Sequence, residues 1–330
     1  MKKFKSLREA YEYYRENPDG LLPMSEVARA TEFSIFLQRG LNKLLLKGYK
    51  EYAGVYKQIM TIVPSDGAIE TYPNLGTVTA PEERLPNGEF VRGSFTSENV
   101  KIVNKEYGEI IEIDRWLIQT DQTKAIKSMP TKLGQAHARK KDMLTADFYN
   151  DGTSTTIYDG VYMFAASGSE HPNVTGGTAN SDNVNYGALG TLSETNLEAA
   201  LAQIALWRGL EGELLDDDPN MKLVVSSSQS FTAQRLIKSS FEVADNRGHV
   251  TNIHKGTFKD LVTFKRLTAD DWYILLPAYP GNVLQEFIPL ELAKEADDAG
   301  ESFDKRIYRY RSYEAYRIGC ADWRFGYKGN

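Results

Sequence analysis

Residues 221–240 read MKLVVSSSQSFTAQRLIKSS. The apolar run KLVVS at 222–226 is short, rich in β-branched residues and bounded by serines, which reads as a buried strand. The polar turn that follows leads into a second helix through Phe231, Leu236 and Ile237, so the unit is strand, turn, helix, an α/β arrangement. Outward from it, TNLEAALAQIALWRGLEGELL (195–215) is the clearest amphipathic helix, opened by a Thr195/Glu198 capping box. Downstream, DLVTFKRL (260–267) and DWYILLP (271–277) supply further strands. Upstream, YDGVYMF (158–164) precedes a long loop of Gly, Ser, Asn and Thr over 168–187.

The first part of the chain is patterned differently. Val27, Phe33, Phe36, Leu37, Leu41, Leu44 and Leu45 recur at near-helical spacing, interrupted by Gly40 and Gly48, and predict short helices on an irregular N-terminal arm. MTIV, ENVKIV and EIIEI are extended pieces around a stretch punctuated by Pro64, Pro73, Pro81, Pro86, Gly76, Gly88 and Gly93. That stretch is polar and too long to bury itself in one compact domain, so a projecting β-hairpin that rests on a neighbour is expected. Residues 121–149 predict a helix with Leu133, His137, Leu144 and Phe148 near one face, kinked or restarted at Pro130. The tail, RIYRYRSYEAYRIGCADWRFGYKGN (306–330), is expected to be mostly extended and is too aromatic to stay free.

The chain has 330 residues, enough for about two domains, with 41% hydrophobic and 25% charged residues, ordinary globular usage. A formal net charge of -6 opposes a surface built to grip phosphate backbones. Cys320 is the sole cysteine, which excludes an internal disulfide and a cysteine-rich metal knuckle and fits synthesis in a reducing cytosol. Neither a signal peptide nor a run of ~18 apolar residues is present, so no membrane partner is expected.

Phosphate loops, nucleophile elbows and zincin motifs are absent, and the expectation is no enzyme, no catalytic, cofactor-binding or metal residues, and no cofactor. The strongest enzyme candidate is Cys320 as nucleophile with His249 or His254 as base, weighed against a buried small hydrophobe. Asp216, Asp217 and Asp218 lack the alternating spacing of a calcium loop and read as a solvated turn. His171 has no partner ligand at metal spacing and reads as a loop-ordering group. Asn173 opens an N-x-T sequon that would not meet the glycosylation machinery. Lys2, Lys3 and Lys5 are a short basic terminus, solvated or in contact with nucleic acid.

Taken in order, YPNLG (72–76), IVNKEYGEIIEIDR (102–115) leading into TDQTKAI (120–126), YDGVYMF followed by SEHPN (169–173), the 221–240 segment, DDWYILLP (270–277) and DWRFGYKG (322–329) resemble the Mu-like major head subunit family of tailed-phage major capsid proteins. The resemblance runs from about residue 56 to the C-terminus. It implies an α+β chain of the HK97-type capsid fold: an N-terminal arm over 1–61, an extended E-loop over 62–103, a peripheral domain over 104–154 and 280–330 with the spine helix 121–149, and an axial α/β domain over 155–279. It implies a major capsid protein that self-assembles into pentamers and hexamers of an icosahedral phage head, located in the virion. Implied partners are portal and decoration proteins and packaged double-stranded DNA held by weak non-specific contact. With about 55 residues ahead of the hairpin, a separate scaffolding protein is expected in place of a built-in one. The alternative on the same fold is an encapsulin-like cellular nanocompartment shell.

Overall fold

The structure is a computed structural model that describes residues 40–75, 97–114, 128–174, 176–240, 251–295 and 307–330. Residues 25–39, the hairpin tip at 76–96, the 121–127 portion of the expected helix and Lys2, Lys3, Lys5 and His249 lie outside the described residues. The chain divides into two compact units, one of Met1–Tyr49, Ile110–Gly134 and Glu291–Ser312, the other of Lys50–Glu109, Gln135–Leu290 and Tyr313–Asn330.

In chain order the elements are α1 (40–51), α2 (Tyr56–Ile59), β1 (Thr61–Pro64), β2 (Ile69–Leu75), β3 (Ser97–Val103), β4 (Lys105–Asp114), α3 (Met129–Asn150) and β5 (Tyr186–Gly187). Then come α4 (Glu194–Ile204), β6 (Lys222–Val225), α5 (Ser230–Lys238), β7 (Asp260–Thr263), β8 (Trp272–Leu275), β9 (Asn282–Lys294), β10 (Ile307–Cys320) and β11 (Gly326–Gly329). They form a four-stranded sheet in the order β1-β9-β10-β4, a five-stranded sheet β5-β11-β8-β6-β7 and a two-stranded ribbon β2-β3.

The five-stranded sheet lies in the second unit and explains the pattern of 221–277. β6 pairs parallel with β7 across the α5 crossover and antiparallel with β8. Side chains alternate across the strands: Leu223, Val225, Trp272 and Ile274 enter one core cluster with α4 and α5, whereas Val224, Tyr273 and Leu275 enter another with Ala146 and Tyr149 of α3. Both faces are buried, so the strands carry continuous apolar runs in place of alternating ones. The tail joins this sheet, because β11 pairs antiparallel with β8 and parallel with β5. Trp323, Phe325 and Tyr327 are buried accordingly.

Three expectations change. Gly48 does not interrupt the N-terminal helix: α1, described from Gly40 onward, runs through it, and at Gly48 a Cβ would collide with the backbone of Thr131, as one at Gly134 would with the carbonyl of Leu45. The missing side chains let α1 and the start of α3 approach closely, which outweighs the roughly 1 kcal/mol helix penalty of glycine. Pro130, where a kink or restart was expected, sits in the first turn of α3, where its missing N–H costs no hydrogen bond. The cap of α4 is Ser193, whose side chain accepts from the Asn196 amide, and Thr195 is an exposed residue inside the helix. This helix also stops at Ile204, short of 215, because Trp207 turns inward to donate its indole N–H to the Val184 carbonyl.

Unit one by itself is small. Among its described residues, Leu41, Leu45, Ile113, Leu133, Leu292 and Tyr310 are buried hydrophobics, and Arg309 pairs with Glu112 at 2.6 Å near its surface.

Candidate assembly hairpin and its anchors

The ribbon β2–β3 pairs antiparallel from Ile69 opposite Val103 to Leu75 opposite Ser97. Two strands alone are marginal in water. β3 alternates in burial, with Val100 and Ile102 inward, while Ile69 and Val103 keep more than half of their surface exposed. The root of the ribbon is therefore fixed by other means. Ile102 packs against Gly319, where a Cβ would fall 2.8 Å from the Ile102 Cδ1. Gln285, fully buried on β9, donates to the Ile102 carbonyl at 3.2 Å and to Asn104 Oδ1 at 2.7 Å, and its own carbonyl accepts from the Tyr72 hydroxyl at 3.0 Å. Asn104 donates to Ser65 Oγ and to the Gly67 carbonyl. The Glu70 carboxylate accepts from the amides of Asp66 and Gly67 and from the Ser65 hydroxyl, and these donors hold its pKa below the ordinary 4.5. The strand pair thus points Ile69 and Val103 at solvent while its base is tied by Gln285, Asn104 and Glu70.

The helix beneath has an unusual buried face. Its buried stripe runs through His137, Ala138, Lys141, Asp142, Thr145, Ala146 and Tyr149, a helical period in which four of the positions are polar. His137 Nδ1 lies 2.7 Å from Glu314, and the Lys141 ammonium lies near Glu286 and 3.6 Å from Glu314, over the Tyr316 ring. Asp142 accepts from the Tyr52 hydroxyl and the Tyr56 amide. Of the four residues expected near one face, Leu133 and His137 are buried, and Leu144 and Phe148 are only half-buried. The partners come from segments up to 177 positions away, so no local pattern announces them.

The other candidates separate. His171 is fully buried, 2.6 Å from Asp159, 3.2 Å from Asn185 and stacked on Trp323 at 4.4 Å, which is a loop-ordering role. Asn173 accepts from Asn180 and Asn183 within that loop. The aspartates at 216–218 are not all solvated: Asp218 is buried and accepts from the amides of Asn220 and Ala278, pinning the turn. Cys320 lines a groove of about 740 Å³ with Val100, Ile102, Tyr107 and Phe148. Burial and the carboxylates of Asp322 and Asp159 push its thiol well above the ordinary 9.0, which disfavours the thiolate a nucleophile needs. The imidazole of His254 faces Glu194 and Glu198.

A model of the phage capsid protein family matches residues 98–329, which span β3 through β11. The chain belongs to the phage capsid protein family. Among curated proteins it is similar to the Mu-like prophage FluMu major head subunit of Haemophilus influenzae, 30% identical over 133 residues that cover 40% of this chain and 42% of the relative. The aligned part is thus under half of that relative's length. Among solved structures it is similar to the capsid of the Cyanophage P-SCSP1u (TM-score 0.54, 11% identity, 84% of this chain and 88% of that chain). It is also similar to the bacteriophage PhiM1 mature capsid (TM-score 0.52, 14% identity, 84% and 87%). The capsid of an empty GTA particle gives a TM-score of 0.51 at 13% identity, over 84% and 90% of the two chains. These likenesses establish the HK97-type capsid fold for this phage capsid protein, with the mixed helices and sheets expected of an α+β chain. The family also places the capsid protein in the virion head and favours the phage shell over the nanocompartment reading.

Proposed function

We propose that this capsid protein is the major head subunit of an icosahedral phage shell, self-assembling as pentamers and hexamers around double-stranded DNA, and that it performs no catalysis. The observation that carries the reading is the β2–β3 ribbon: tied at its root to β9 and β10 residues, it presents Ile69 and Val103 outward where a single subunit offers no cover. In the proposed division, residues 1–61 are an N-terminal arm, 62–103 the E-loop, 104–154 with 280–330 the peripheral domain and 155–279 the axial domain. A separate scaffolding protein, a portal and decoration proteins are the proposed partners, with DNA contacted weakly.

The test uses the register of the ribbon. Because Leu75 and Ser97 are opposite one another, residues 76–96 can be replaced by Asn-Gly, the pair that closes a two-residue hairpin. Electron microscopy of the intact chain, co-expressed with the scaffolding protein of its phage, is expected to show closed shells, and the shortened chain a folded subunit that forms none. Only monomers or dimers of the intact chain under every assembly condition, or normal shells from the shortened one, would refute the proposal.

A further inference from the structure

Glu194 and Glu198 stand one helical turn apart at the start of α4, and His254 reaches them from the segment that follows α5. The ligand-capable atoms of the three lie within 4.8 Å of one another. His254 Nε2 is 3.5 Å from Glu198 and 3.7 Å from Glu194. The imidazole is buried, with 6% of its side-chain surface exposed, and its Nε2 makes no hydrogen bond. A charge-assisted hydrogen bond would draw nitrogen and oxygen to about 2.7–2.9 Å. Donor atoms that share one tetrahedral ion with bonds of about 2.1 Å sit about 3.4 Å apart. The two His254–carboxylate spacings lie near the second arrangement, and the two carboxylates are within 4.8 Å of each other.

We propose that Glu194, Glu198 and His254 form a binding site for a divalent first-row transition ion, with zinc the best-suited probe. The donor set decides the class: imidazole nitrogen with two carboxylates suits zinc and its neighbours, whereas calcium and magnesium take all-oxygen shells. Two features prepare the site. The His254 amide donates to Asn252 Oδ1 at 2.9 Å, and the Asn252 amide nitrogen donates to the carbonyls of Leu236 and Ser239 at the end of α5, so the ring is held from its backbone. Glu198 is half exposed, which gives the ion a way in and lets one ligand adjust to close the remaining distance. A bound ion would staple the first turn of α4 to the segment that α5 anchors, outside the hairpin root and independent of the assembly reading.

Isothermal titration of the full chain, stripped with chelator, is expected to show one equivalent of zinc bound with a Kd on the order of 1 µM or below. Cobalt at the same site should give the intense visible absorption of tetrahedral coordination. Glu198→Gln, at a half-exposed position, and His254→Gln should each weaken binding by at least about 10-fold, the lower end of what even outer-shell changes cost. Asp217→Asn, an exposed carboxylate elsewhere, should leave it unchanged. Absence of saturable zinc binding, or binding that Glu198→Gln does not weaken, would overturn the site; because Glu198→Gln is judged on folded protein, a folding defect in His254→Gln does not decide the matter.

Discussion

Lys141 carries a charge into the interior of the second unit, with 3% of its side chain exposed, and Glu314 beside it is as deeply buried. Removing Lys141 takes the ammonium away from buried Glu314 and leaves it the His137 contact at 2.7 Å, a loss that approaches about 3–5 kcal/mol only where the remaining charge stays uncompensated. Lys141→Met is therefore expected to lower unfolding free energy by up to roughly that amount in urea denaturation, and adding Glu314→Gln should restore part of it; a neutral single variant would show the pair to be dispensable. Glu70 makes the opposite kind of prediction, at the surface. Its folded pKa is depressed by the Asp66 amide first, then by Ser65 and Gly67, so its contribution is present above 4.5 and fades as pH falls through the lower folded value. Protection of the Asp66 and Gly67 amides, corrected for intrinsic exchange, is expected to fall selectively below about pH 4.5, and in Glu70→Gln to be low at every pH with that pH dependence gone. None of these roles was legible in the sequence. A buried lysine looks like any other helix lysine until Glu286 and Glu314 arrive from far along the chain, whereas the loop-ordering part of His171 was legible because it lacked any neighbouring ligand.

At the scale of elements, sequence patterns were most readable where both faces of a strand are buried. LVV at 223–225 and WYIL at 272–275 are continuous apolar runs, and they are β6 and β8. The spine helix was legible in existence and less so in facing, since half of its buried stripe is polar and the usual apolar count points toward Leu144 and Phe148. Phe231, one of the apolar residues that marked α5 in the sequence, is 73% exposed, while Ala233, Leu236 and Ile237 carry the buried face. Helix ends depended on single groups. Ser193 and Thr195 are both good cap residues two positions apart, and only the observed bond to the Asn196 amide chooses between them. Ser193→Ala is expected to cost about 1 kcal/mol in thermal or chemical denaturation, and Thr195→Ala close to nothing; the reverse ranking would move the start of the helix.

For the whole molecule, fold class and shell function were legible because several weak segments occur in one order from about residue 56 onward, and the family match covers the same ground from 98 to 329. Neither depended on a catalytic constellation, and the charge balance adds a separate constraint on the proposed contents of the shell. Affinity for duplex DNA rises with each phosphate neutralised, and falls steeply with salt in proportion to that number. A subunit with 39 basic against 45 acidic residues, net -6, offers no excess with which to neutralise many phosphates. A container that fills with DNA and later empties works best when its wall holds each phosphate weakly. Contact is then confined to a few groups, with Lys2, Lys3 and Lys5 the candidates at the N-terminal arm. Fluorescence anisotropy of labelled duplex DNA with the isolated subunit is expected to show no saturation at physiological salt at protein concentrations up to about 100 µM, the weak end of the non-specific range. At low salt, any binding that emerges should show a shallow salt slope and should weaken further in a Lys2, Lys3 and Lys5 triple alanine variant. Sequence-selective binding at physiological salt would contradict the charge argument and the proposed role of the wall together.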